Sequence, residues 1–276
     1  MRGLSAARSV CWARNCGARA RPSLNRLRAR LVAFVFQNPT TYLNPVLTVG
    51  RQITEVFELR PELFNKGGER LTPGERRRRA WRRVVDYLGL VKIPDPERVA
   101  RQYPFELSGG MQQRAVIAMA LIRRPALVIA DEITTALDVT VQAQILSLLR
   151  ELRHSISMTL LMITHDLGVI TQLADTVAVM YSGVVVECAD AVTLFKHAKH
   201  PYSRALLEAV PTIRGDRTVL RPIAGVIPPL TDPPPGCRFQ PRCPQALERC
   251  ARVVPVATTV AAGQRVACHL YDGGPA

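Results

Sequence analysis

The sequence predicts an α/β fold, a largely parallel sheet with helices on both faces. Three observations predict it. Ala126 to Glu132 (ALVIADE) and Thr159 to Asp166 (TLLMITHD) are apolar runs of strand length and read as fully buried strands. Between them Val141, Ile145, Leu148, Leu149 and Leu152 recur at the period of an amphipathic helix. Upstream, LVAFVFQ (31–37) is a β-branched and aromatic run closed by a turn at Asn38-Pro39.

The first 30 residues hold eight arginines and no acid, with no sustained period, so no element is assigned there. An acid-free, Arg/Ser/Ala-rich start resembles an organelle transit peptide, and without an apolar core of about 7–15 residues it is not a secretory signal. Residues 46–120 read as a mixed helical region. Within it Glu75 to Leu90 places Trp81, Val84, Val85 and Leu88 on one stripe, and Arg76 to Arg79, Arg82 and Arg83 elsewhere, as a solvated helix face. Thr176 to Glu187 (TVAVMYSGVVVE) reads as two strands joined at Ser182-Gly183. After about Gly215 the grammar changes: seven prolines fall between Arg221 and Pro241, followed by a cysteine-bearing, loop-rich tail that reads as a separate appendage.

Composition narrows the class. Of 276 residues 47% are hydrophobic, too many for a disordered chain. No apolar run reaches the ~18 residues of a transmembrane helix. Seven cysteines are too few, and odd in number, for a disulfide scaffold, which favours a reducing compartment. The net charge of +15 invites a nucleic-acid reading. However, 33 of the 37 basic residues are Arg, spread through every segment, and aromatics are only 5% and do not interleave with them. No nucleic-acid partner is expected.

Four features carry chemistry. In LVIADE, Asp131 and Glu132 stand at the carboxyl end of a strand, where open α/β sheets bind ligands. An Asp there can hold a phosphate-bound Mg²⁺, and the adjacent Glu can act as general base toward water. In LSGGMQQR, Ser108, Gly109 and Gly110 open a helix, and backbone N–H groups, a hydroxyl and the helix N-terminus together suit an anion. A plain Ser cap would explain Ser108 but not the double glycine. His165 follows a buried strand, and Gln37 ends the LVAFVF strand, suited to ligating Mg²⁺ or orienting water.

The order strand-Gln, LSGGMQQR, LVIADE, TALD, strand-His resembles the ATP-binding subunits of ABC transporters, P-loop NTPases in which these are the Q-loop, signature, Walker B, D-loop and H-loop. Segments 36–55, 103–121, 134–146 and 180–187, with HPYSRALLEAVP (200–211), are similar to the dipeptide, oligopeptide and nickel importer group. The resemblance implies an ABC ATPase domain over 27–213 with a helical subdomain at about 46–120, a leader at 1–26, and a C-terminal extension at 214–276. It implies roles residue by residue: Gln37 to Mg²⁺ and the permease; Ser108, Gly109, Gly110 and Gln112 to ATP held by a partner subunit; Asp131 to Mg²⁺. Glu132 would face the attacking water, Asp138 the dimer interface, and His165 the γ-phosphate. It further implies a second ATPase subunit, two membrane permeases, an extracytoplasmic peptide-binding protein, and a place on the cytoplasmic face of the inner membrane.

Three departures stand out. The phosphate-gripping G-x-x-x-x-G-K-[ST] does not occur in the chain. With family-like sequence starting abruptly near residue 26, the expectation is a leader foreign to the family, the first strands and P-loop missing, and an incomplete ATP site of the chain's own. The alternative is a native leader. Ile133 stands where the family usually has Pro after the catalytic Glu. Finally, Cys237, Cys243, Cys250 and Cys268 suit a metal site in a reducing compartment. Similar tails in this transporter group are able to hold a [4Fe–4S] cluster; zinc, or four reduced structural cysteines, are the alternatives. On function, ATP-driven peptide import leads, ahead of a catalytically impaired subunit lending only its signature motif, or a nickel importer.

Overall fold

The computed structural model describes residues 31–58, 71–135, 137–209 and 222–272; the Arg-rich leader and the boundary at 213/214 lie outside them. The chain divides into two compact units, residues 1–165 and 166–276.

The first unit is built on a parallel sheet of β1 (Val32–Val35), β2 (Leu127–Asp131) and β3 (Thr159–Ile163), in the order β1-β2-β3. The register pairs Phe34 with Ile129 and Ile129 with Leu161. Ala33, Val35, Val128 and Ala130 form its buried face. The other face, expected under a second helix layer, carries Phe34, Leu161 and Ile163 at 46–49% exposure, because no element among the described residues lays an apolar stripe on it. β2 therefore alternates buried and partly buried residues, and β3 has no buried one, so neither is buried on both faces as its unbroken apolar sequence had predicted.

The helices are α1 (Pro39–Tyr42), α2 (Val49–Glu58), α3 (Pro73–Leu90), α4 (Pro96–Ala100), α5 (Gly109–Leu121) and α6 (Val139–Ser155). α5 is buried almost all round, with Ala115, Val116, Ile117, Ala118 and Leu121 at 0–1% exposure, and is the centre of the helical region. α3 starts at a capping box. Thr72 accepts from the Glu75 N–H, the Glu75 carboxylate accepts from the Thr72 N–H at 2.8 Å, and Pro73 fills the first helical position. Its core stripe is Ala80, Val84, Tyr87 and Leu88; Trp81 and Val85, expected in that stripe, are only half-buried. α6 buries Ile145, Leu148, Leu149 and Leu152 as its period predicts.

The second unit contains α7 (Leu167–Leu173), α8 (Ala191–His197), α9 (Pro201–Glu208) and an antiparallel sheet. Its strands are β4 (Thr176–Tyr181), β5 (Val184–Asp190), β6 (Thr258–Ala261) and β7 (Gln264–Val266), in the order β4-β5-β7-β6. Ser182 and Gly183 both take positive φ, 45° and 80°, the condition for a tight hairpin turn with matching twist.

The cysteine-bearing tail is not the separate appendage its composition suggested. β7 pairs with β5, and Phe239 is 1% exposed in the core beside Val179, Tyr181 and Val186. Its ring meets Tyr181 edge-on at 5.1 Å and Tyr202 at 5.4 Å. Glu187, which ends the MYSGVVVE segment, explains the attachment. Its buried carboxylate accepts from the Lys199 and His200 N–H groups at 2.8 and 2.9 Å, and from Gln264 Nε2 of the tail at 2.9 Å. A buried carboxylate needs such donors, so the tail strand completes what the hairpin begins. Beside it, burial pushes the His200 imidazole down to about 4, which keeps Nδ1 free to accept from the Tyr202 N–H at the start of α9.

Candidate active site

β1 and β2 are neighbours, and both run toward the same sheet edge with β3. Their carboxyl ends therefore bring Gln37, Glu132 and His165 together from positions up to 128 residues apart in sequence number. Gln37 Nε2 donates to Glu132 Oε2 at 2.7 Å, and His165 Nδ1 lies 2.9 Å from Glu132 Oε1. Because the carboxylate only accepts, Nδ1 carries the hydrogen in this contact and Nε2 is the nitrogen left over. Thr135 Oγ1 adds a long contact of 3.4 Å to Oε2. His165 is 68% exposed and Glu132 30%, so the group opens to solvent and to a ligand.

Glu132 takes a left-handed conformation, φ 46°, at the turn leaving β2, while its N–H donates to the Ile163 carbonyl at 2.9 Å. A non-glycine residue there stores backbone strain of about 1–3 kcal/mol, held by surrounding contacts. Ile133, where a proline was the expectation, buries its side chain to 3% exposure and lifts the restriction a proline would place on Glu132. Asp131 ends β2 in register with Ile163 and takes no part in the Gln37–Glu132–His165 network. Asp131 and the Gln37 carbonyl oxygen are oxygen donors of the kind Mg²⁺ takes alongside phosphate and water.

A second group gathers where α5 and α6 begin. Ser108 caps α5, its hydroxyl accepting from the Met111 N–H at 3.4 Å, the plain cap that had been weighed against an anion site. A Cβ added at Gly109 would meet nothing within 4 Å, whereas one at Gly110 would lie 2.7 Å from Val141 Cγ1. Gly109 thus leaves an open approach to the backbone, and Gly110 is imposed by packing. Asp138, one turn before Val141, caps α6 by accepting from the Val141 N–H at 2.9 Å. The start of α6 and the signature turn are therefore one packed piece.

Two signature residues serve the fold. Gln112 was expected to reach ATP; its amide is buried instead, donating to the Pro104 carbonyl at 2.8 Å and toward that of Leu107 at 3.3 Å. Arg114, to which no role had been given, ties α5 to the Val91 carbonyl at 2.8 Å and to Gln144 of α6 at 3.1 Å, and burial lowers its pKa. Only its place in LSGGMQQR could have pointed to it.

In the second unit the four tail cysteines converge. Burial raises the thiol pKa of Cys237, Cys243 and Cys268, the last to about 11, and in each case the neighbouring cysteine sulfurs push it further up. Backbone N–H groups of Phe239 and Gln240 face Cys237, that of Gln245 faces Cys243 and that of Leu270 faces Cys268. All are free thiols, and among the described residues no group of three or more His, Cys, Asp or Glu is placed to hold a metal ion. His269, next to Cys268, is turned to Asp272 at 2.6 Å and the Val253 carbonyl at 2.8 Å.

Comparison with known proteins bears on both groups. The ABC transporter family model matches residues 17–135, and the model of the oligopeptide/dipeptide transporter C-terminal region matches residues 186–250. The chain is 44% identical over 247 residues to the oligopeptide transport ATP-binding protein AppD of Bacillus subtilis, covering 90% of this chain and 72% of AppD. It is 47% identical over 245 residues to the dipeptide transport ATP-binding protein DppD of Escherichia coli, covering 88% and 71%. Among solved structures, cbiO1 of Clostridium perfringens, part of an ABC transporter complex, matches with a TM-score of 0.52 at 26% identity, over 64% of each chain. The dimeric bacterial ABC transporter cassette MJ0796 matches with a TM-score of 0.50 at 27% identity, over 63% of this chain and 68% of that one.

Proposed function

The chain belongs to the ABC transporter family, among the ATP-binding subunits of oligopeptide and dipeptide transport, and from that premise we propose that it couples ATP hydrolysis to import of short peptides. The observation that carries this chain's share is the start of α5, where Ser108 caps the helix and Gly109 leaves the backbone open to a phosphate; the meeting of Gln37, Glu132 and His165 at one sheet edge is a second, water-activating arrangement. A carboxylate held between an amide and an imidazole is fixed in orientation and can take a proton from an attacking water. The Gln37 carbonyl oxygen is left for a cation. Asp131 and Gln37 would hold Mg²⁺, which neutralises phosphate charge as the bond to the leaving group breaks.

Residues 1–276 contain no G-x-x-x-x-G-K-[ST], the motif that grips phosphates through backbone N–H groups and a lysine. In our reading a second ABC ATPase subunit holds the ATP, and Ser108, Gly109 and Gly110 of this chain close over its γ-phosphate. Asp138, which caps the helix packed on that turn, would lie at the same interface. The pair works with two membrane permeases and an extracytoplasmic peptide-binding protein at the cytoplasmic face of the inner membrane. No helix among the described residues is long and apolar enough to cross a membrane, so permeases would provide the passage. In vesicles holding the permease pair, the peptide-binding protein and a second ATPase subunit, ATP-dependent uptake of di- and tripeptides should require this chain. Uptake without it, or uptake of Ni²⁺ in place of peptides, would sink the reading.

We further propose that the four tail cysteines hold a [4Fe–4S] cluster. One tetrahedral metal needs its sulfurs about 3.8 Å apart, as follows from Zn–S bonds of about 2.3 Å. Among the described residues no group of three or more such side chains is placed to hold a metal ion, so the proposal rests on the chemistry of the thiols. Thiols buried near one another and faced by backbone N–H groups suit cluster ligation, in which such hydrogen bonds tune the sulfurs. Protein purified without oxygen should carry about four irons and four sulfides per chain, lost in Cys268→Ser. Zinc, or no metal at all, overturns this.

A further inference from the structure

Between α4 and the turn that leads into α5 the chain forms an open cavity of about 830 Å³, a size that suits a small-molecule ligand. Two aromatic rings line it. Tyr103 and Phe105 stack at 5.5 Å with 7° between their planes, and Phe105 is 72% exposed, apolar surface that a ligand would take out of water. Both signs of charge stand around the rings. Asp95 pairs with Arg98 at 3.0 Å and Glu97 with Arg101 at 2.7 Å, but all four side chains are more than half exposed, so each pair contributes little and opens readily. Glu106 adds a third acid, one of its oxygens accepting from the Tyr103 N–H at 2.6 Å. Gln102 also lines the cavity, and its Oε1 is shut from solvent with no hydrogen-bond partner among the described residues. A buried acceptor left in that condition costs free energy until a donor reaches it.

A polyphosphate seated here would meet three carboxylates, and a wholly apolar molecule would leave the charged groups and Gln102 unanswered. A short peptide with free ends answers all of them. Its terminal carboxylate takes the guanidinium fork of Arg98 or Arg101, its ammonium takes a carboxylate, a backbone N–H reaches Gln102 Oε1, and an apolar side chain covers the Phe105 ring. We propose that this cavity binds short zwitterionic peptides, and that its occupant is the imported peptide after release. The second clause rests on the transporter reading. The site is continuous with the signature turn: Gln112 of α5 donates to the Pro104 and Leu107 carbonyls, and Ser108 caps the same helix. The residues that would hold the peptide and the residue that would meet the γ-phosphate thus belong to one fixed turn.

The full chain is titrated by calorimetry with the tripeptide Ala-Phe-Ala, with the same peptide acetylated and amidated at its ends, and with ATP. The free-ended peptide should bind saturably with a Kd of about 1 mM or lower, and blocking both ends should weaken it about tenfold or more. Phe105→Ala, at a ring that is largely in solvent, should keep the parent melting temperature and lose about threefold or more in affinity. The blocked peptide tests the charges on the parent chain, so the proposal stays open to refutation even if that variant folds poorly. Equal affinity for free and blocked peptide overturns it, as does no binding below about 10 mM. Tighter binding of ATP than of Ala-Phe-Ala, lost in Phe105→Ala, would assign the cavity to a nucleotide and overturn it too. Failure of the transporter reading would appear elsewhere, as vesicles without ATP-dependent peptide uptake, while binding of Ala-Phe-Ala to the chain is kept.

Discussion

Ser108→Asp in this chain should cut ATP hydrolysis by the assembled pair of ATPase subunits by about 10²-fold or more, while Glu132→Gln should change it by less than about twofold. Asp can cap α5 as Ser108 does, so the helix and its melting temperature should be kept. What changes is the sign of the charge facing a γ-phosphate: a hydroxyl donor at a helix N-terminus becomes a carboxylate. Gly109 leaves that approach open, so the new carboxylate cannot be shielded. Glu132 is different. It is well formed as a base between Gln37 and His165, but the phosphates it would serve have no loop to grip them within residues 1–276. Steady-state hydrolysis by the pair, with each variant in turn, decides the matter. Loss of activity in Glu132→Gln with little loss in Ser108→Asp would mean that ATP is hydrolysed at this chain's own Walker B edge.

Gly236→Ala should destabilise the second unit by about 3 kcal/mol, lowering its melting temperature by about 10 °C, and should remove bound iron. A Cβ at that position would lie 2.2 Å from the Cys250 carbonyl oxygen and 2.8 Å from backbone atoms of Ala251 and Arg252. None of these is a flexible side-chain end, so the two strands of chain must part. The Cys237 N–H donates to the same Cys250 carbonyl at 2.8 Å, which means that parting them also separates two of the four thiols. Gly109→Ala is the control, because its Cβ would meet nothing within 4 Å. Differential scanning calorimetry with iron analysis tests both; a Gly236→Ala protein that melts and binds iron like the parent refutes the packing argument.

Much of the site was legible as residues in order. Gln37, Glu132 and His165 follow apolar runs, and strand ends at one sheet edge are where such side chains can meet. Their mutual hydrogen bonds were not legible, nor was the left-handed turn at Glu132, since both depend on the pairing of β1, β2 and β3. Gln112 shows the opposite case. Its place in the motif pointed to a ligand, yet its amide is buried against the Pro104 and Leu107 carbonyls, where Nε2 finds the acceptors a buried donor needs. Arg77 and Arg82 read as solvated charge and are exposed; the sequence did not record that Arg51 of another helix lines the same concavity, since it records spacing along one helix only.

By itself the sequence determined the family and the α/β class and named the groups proposed to do the chemistry, because period and motif order are local properties of the chain. Tertiary structure alone decided three things. It joined the tail to the β4–β5 hairpin through Glu187, Gln264 and Phe239. It made Gly110 obligatory by seating Val141 against it. It also set Arg51 of α2 beside the exposed arginines of α3. The common reason is that a buried carboxylate, a close helix contact and a concavity each need two chain segments, and no single segment records its neighbour.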